Sequence, residues 1–111
     1  TFVHTHPTEG TFSMDDVAFT QNYNVRTSQV ITPKYIATLE RPGGGYPKLT
    51  KETLSVMVND YKTIAGEVVP KWRDLAQSGK LSADIANANA STEIMDRFMP
   101  KHGFNYTRVK R

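Results

Sequence analysis

The hydrophobic period of this chain changes at Thr50, and that change limits the folds open to it. Ahead of Thr50, short runs such as "TFVHTH" and "SQVITPKYIATLE" alternate in the manner of strands and are cut by Pro and Gly. Beyond it, Leu54, Met57, Val58, Tyr61, Ile64 and Ala65 fall on one helical face, with Thr50 placed to cap it. A chain of 111 residues has room for about one core, so strands and helices must share it. The fold class is therefore α/β or α+β: a small sheet with a helix packed on it, plus a helical segment over 50–98.

Within the first half, Phe2, His4 and His6 alternate against Thr1, Val3 and Thr5, and Pro7 stops the strand. Ser13 is the expected N-cap of a helix reaching about Asn22, with Asp15 and Asp16 in its first turn, where carboxylates suit the helix dipole. The run around Thr32-Pro33 predicts a hairpin or a broken strand, closed by "RPGGGYPK". In the second half, Gly66 and Pro70 are expected to interrupt the helix. A short second helix carrying Trp72 then ends near Gly79, and a third, capped by Ser82, ends before Pro100. "FNYTRV" predicts a last strand with Phe104, Tyr106 and Arg108 on one face.

Charge and composition exclude several classes. No run of about 18 apolar residues occurs, so no membrane-spanning helix is expected. The absence of cysteine removes disulfides and thiolate ligands, so a metal site must use nitrogen and oxygen; it fits a reducing compartment without requiring one. The net charge is +3, yet residues 1–25 hold Glu9, Asp15 and Asp16 with no Lys or Arg, which leaves +6 on the remainder. The basic end (Lys101, Arg108, Lys110, Arg111) reads as a solvated tail first and as a nucleic-acid contact second.

Two of the three histidines stand in the acidic stretch "TFVHTHPTEGTFSMDD". On a strand, His4 and His6 point to one side with Cα atoms about 6.5–7 Å apart, close enough for both imidazoles to meet one ion. A Ser-x-x-Asp unit at a helix start turns Asp16 back toward the cap, so His4, His6 and Asp16 supply the three ligands of an open zinc site, with Ser13 beside it as an oxyanion donor. Each part has a plainer reading: the Ser-x-x-Asp unit as a capping box, the histidines as solvent-facing strand residues.

The ordered set His4-Thr5-His6-Pro7, a six-residue span from Pro7 to Phe12, then Ser13-Met14-Asp15-Asp16, resembles the JAB/MPN (JAMM) metalloproteins, whose pattern is His-x-His-Pro, a short loop and Ser-x-x-Asp. The resemblance covers residues 1–41 and includes the strands after the motif helix, which look like those of bacterial members, among them JAB-like domains of phage tail proteins and polymorphic toxins. It implies Zn²⁺ on His4, His6 and Asp16, Ser13 steadying the tetrahedral intermediate, and hydrolysis of peptide or isopeptide bonds in a peptide or protein substrate. The loop is one residue shorter than in many relatives.

The family's general-base glutamate lies upstream of its His-x-His, where this sequence has three residues. Glu9 is the nearest substitute and Glu40 a weaker one. The expectation that follows is of a single domain or the C-terminal part of one, with 1–49 carrying the zinc motif and 50–111 the helical extension and last strand. An upstream segment or partner chain then completes the fold and brings the base. The rival readings are a JAB-like domain without activity that acts by contact, and a nucleic-acid-contacting domain. His102 is expected to be a turn residue at a helix end.

Overall fold

Each of the three caps read from the sequence starts a helix. In the computed structural model, which describes residues 1–6 and 10–111, α1 (Met14–Asn22) follows Ser13, α2 (Lys51–Gln77) follows Thr50 and α3 (Ala83–Lys101) follows Ser82. In every case the cap hydroxyl accepts from the backbone N–H three residues on, satisfying a donor the helix itself leaves unpaired. At the other end, Gly79 and Gly103 take positive φ (78° and 75°) after α2 and α3. Lys80 N then donates to Leu75 O, and Phe104 N to Met99 O, so both helices stop sharply and Phe104 turns into the core.

The expected break at Gly66 and Pro70 does not occur. α2 runs through both as one helix of 27 residues. A proline ring crowds the carbonyl four residues back, and here that residue is Gly66, the most deformable backbone in the helix. Packing against α3 buries Val68 completely and Ile64 nearly so, which holds the segment together across the missing hydrogen bond. The expected apolar face of α2 holds except at its start: Met57 and Ile64 are buried, Tyr61 and Ala65 pack against the core and Val68 extends the face, whereas Leu54 is 41% exposed; on α3, Ile85 is 51% exposed. α2 is about 40 Å long and α3 about 28 Å, so an end of α2 must overhang its partner. α3 likewise continues through Pro100 to Lys101.

Four strands form one mixed sheet in the order β1 (Phe2–Thr5), β2 (Thr27–Ile31), β3 (Tyr35–Glu40), β4 (Asn105–Lys110). β1 and β2 are parallel and joined through α1; the other pairs are antiparallel. β2 and β3 form the hairpin, closed where Thr32 N donates to Tyr35 O at 2.9 Å. Register places His4, Val30, Ala37 and Arg108 in one cross-strand row, and Phe2, Ser28, Leu39 and Tyr106 in the next on the same face. That face is covered: Val30, Leu39, Phe98 and Met99 are fully buried within one core cluster. The opposite face, with Val3, Gln29, Thr38 and Val109, is partly or fully exposed. The molecule is thus a two-layer α/β fold, with the histidine strand at one edge of the sheet.

Candidate metal centre

β1 and the start of α1 build the candidate site. The ladder continues past β1, with His6 N donating to Ile31 O at 2.9 Å, so both histidines hold strand geometry. Their ring centroids lie 4.9 Å apart. Phe12, fully buried, sets its ring edge against His4, with centroids 6.5 Å apart, and walls the site from the core side. α1 is pinned over the same face: Val17 is fully buried, and Thr20 Oγ1 donates to Asp16 O and stands 2.9 Å from the buried Ser28 Oγ of β2.

This docking brings Asp16 to the histidines. His4 Nε2 lies 3.5 Å from Asp16 Oδ2, and one potential ligand atom from each of His4, His6 and Asp16 falls within 4.8 Å of the others. Among the described residues no other group of three His, Asp or Glu side chains meets that test. Tetrahedral zinc with bonds near 2.0–2.2 Å needs ligand atoms about 3.3–3.5 Å apart, so small side-chain rotations close the set. Neither ring nitrogen of His4 has a hydrogen-bond partner among the described residues, although both are buried. Orphaned imidazole nitrogens beside a carboxylate are a donor set that suits zinc.

Ser13 and Asp16 form a full capping box: Ser13 N donates to Asp16 Oδ2 at 2.9 Å and Asp16 N donates to Ser13 Oγ at 3.1 Å. The plain reading of this pair and the ligand reading are therefore compatible. The same Oδ2 that faces His4 accepts the Ser13 N–H, so the cap fixes the orientation of the Asp16 carboxylate, the kind of outer support that orients a ligand. Because Ser13 Oγ serves the cap as an acceptor, its O–H proton is left to donate elsewhere.

The remaining sequence candidates fall elsewhere. Glu9 lies outside the described residues. Glu40 does not serve the trio: it ends β3 on the face opposite His4, at the far end of the ladder. His102 is the C-cap of α3, stacked on Phe98 at 4.4 Å, with Nε2 3.0 Å from Asp60 Oδ2.

Sequence reasoning missed the clamp on the loop ahead of Ser13. Thr11 Oγ1 and Tyr106 Oη are 2.8 Å apart although 95 residues separate them. Burial, the largest influence, pushes the Tyr106 hydroxyl up to about 12, so it stays neutral and holds this bond. Only the alternation of "FNYTRV" hinted that Tyr106 faces inward. Comparison with family models, with curated proteins and with solved structures finds no match to this chain, so the reading of the site rests on its own geometry.

Proposed function

We propose that this chain carries the metal centre of a zinc-dependent hydrolase of peptide or isopeptide bonds, of the JAB/MPN-like type, with Zn²⁺ held by His4, His6 and Asp16. The observation that carries the reading is the meeting of these three side chains, with neither His4 nitrogen hydrogen-bonded among the described residues. A bound zinc ion supplies Lewis acidity and a water of pKa near about 7. The chain's own residues do the rest: β1 aims two imidazoles at one point, the capping box holds Asp16 in place, and the Ser13 hydroxyl donates to an oxyanion forming beside it.

Hydrolysis also needs a base to take the proton of the water and return it to the departing amine. Among the described residues no carboxylate other than Asp16 joins the trio. The base we assign to an upstream segment or partner chain, because β1 stands at the sheet edge with Phe2 and Val3 39% and 48% exposed beside Phe19, whose ring is 4.8 Å from that of Phe2. The same observation favours a second reading, a zinc-bearing module that works by contact without turning over. A bacterial toxin or a phage protein is the larger setting proposed for either.

Elemental analysis of the purified chain tests the centre. About one zinc per chain is expected, and none after His4→Ala combined with His6→Ala. Unchanged zinc content in the double variant overturns the assignment. Peptidase activity then separates the two readings, measured with and without the segment that completes the edge of β1.

A further inference from the structure

Two elements build the metal centre, and the residues just ahead of α1 decide how they meet. β1 carries both histidines and is fixed to β2 by its ladder. α1 carries Asp16 and is pinned to β2 in its later half, where Thr20 Oγ1 stands 2.9 Å from the buried Ser28 Oγ. The start of α1, where the carboxylate is, follows directly from residues 10–13. Gly10 enters this stretch at a φ of 151°, a conformation that residues with a side chain rarely adopt. Thr11 and Phe12 then turn inward, 4% and 0% exposed.

Tyr106 of β4 meets both of them. Its hydroxyl is 2.8 Å from Thr11 Oγ1, and its ring stands edge-on to Phe12 with centroids 6.3 Å apart; Phe12 in turn faces His4 at 6.5 Å. β4 lies three strand spacings from β1, about 14 Å, and these rings span most of that distance. The two contacts differ in kind. Burial of Phe12 is non-directional and tolerates a loop that slides or turns about the ring. Among the described residues, the only hydrogen bond that ties residues 10–13 to the sheet is the one between Thr11 and Tyr106. With its hydroxyl pushed up to about 12, chiefly by burial, Tyr106 keeps this bond through the neutral range in which imidazoles and a carboxylate take a metal.

Resting on the reading of His4, His6 and Asp16 as a metal centre, we propose that Tyr106 is a positioning residue of that centre. By fixing Thr11, two residues ahead of the Ser13 cap, its hydroxyl sets where α1 begins and so the distance from the Asp16 carboxylate to the imidazoles. Ser13 orients the carboxylate on the helix, and Tyr106 places the start of the helix against the strand.

Tyr106→Phe keeps the ring on Phe12 and removes the bond. It leaves the buried Thr11 hydroxyl unpaired, so the thermal midpoint should fall; adding Thr11→Val removes the orphan and should restore most of it. Zinc affinity should part from stability. The Kd, measured against a chelating indicator, should rise about ten-fold in Tyr106→Phe, the lower end of what loss of an outer support costs, and stay raised in the double variant. In the metal-free chain, hydrogen exchange at the Val17 N–H, which donates to Ser13 O in the first turn, should quicken about ten-fold in both variants, with the Tyr23 N–H at the far end of α1 unchanged. Zinc affinity that returns with stability in the double variant, or exchange at Val17 no faster than in the native chain, overturns the proposal. If the native chain takes up no zinc while Val17 still exchanges faster in both variants, the metal reading is at fault and Tyr106 remains the residue that places the start of α1.

Discussion

Two histidines of this chain stand beside an aspartate, and they do so in different ways. His102 sits at the C-cap of α3 with 13% of its side chain exposed, stacked on Phe98 and facing Asp60 of α2, whose other oxygen is 3.3 Å from Lys101. Asp60 is thus shared by His102 and Lys101 at a helix end, which closes α3 onto α2. His4 faces Asp16 at 3.5 Å with 24% exposure on each side, has the His6 imidazole against it, and neither of its ring nitrogens is hydrogen-bonded among the described residues. A His–Asp contact is therefore not a site by itself. The capacity to hold an ion comes from the third ligand, the His6 imidazole, since His102 Nε2 is likewise without a hydrogen bond among the described residues.

The largest effects that test this contrast come from the aromatic residue behind each histidine. Phe12→Ala and Phe98→Ala each empty a fully buried position and should cost about 3–5 kcal/mol in urea unfolding. Only Phe12→Ala should also lower zinc content at temperatures where the protein is still folded, since Phe98 backs His102. Equal loss of zinc in both variants breaks the distinction.

Zinc itself sharpens the comparison at the next scale. At a free concentration about one hundred times its Kd, the ion should raise stability by about 2.7 kcal/mol, read as a shift in the thermal midpoint. His102→Ala should keep the whole of that shift, and His4→Ala should lose it.

Smaller still is the cap. Ser13→Ala should cost about 0.5–2 kcal/mol, and Ser13→Gly only a few tenths. If Ser13 also donates to the oxyanion, turnover of the completed enzyme falls by about 10²-fold in both variants, because neither supplies a hydroxyl. Activity that follows the stability of the two variants leaves Ser13 a cap alone.

The smallest effect belongs to the helical layer. The hydrogen bond from Lys71 holds the Glu93 carboxyl below its ordinary range, against the opposing pull of desolvation, with Trp72 and Arg97 adding to the lowering. A depressed carboxylate contributes stability that is present above its unfolded value of 4.5 and lost as pH falls through the lower folded value. Urea midpoints below pH 4.5 should therefore fall less steeply in Glu93→Gln, with the zinc site untouched.

The sequence by itself determined the features that rest on a few neighbouring residues. The caps at Ser13, Thr50 and Ser82 close between residues three apart, the hairpin turns within the four residues 32–35, and alternation alone puts His4 and His6 on one face. The grouping of Asp16 with them was also legible, because the capping box aims that carboxylate back along the chain. Only the tertiary structure decided what depends on distant partners. Packing on α3 carried α2 through Pro70, where local propensity predicts a break. A difference in helix length, invisible in the period, left Leu54 outside the core and Met57 inside it. The bond between Thr11 and Tyr106, and the row that runs from His4 to Arg108, join residues about a hundred positions apart through sheet register. Register is set by which face of each strand the helices bury, and no single stretch of the chain contains that information.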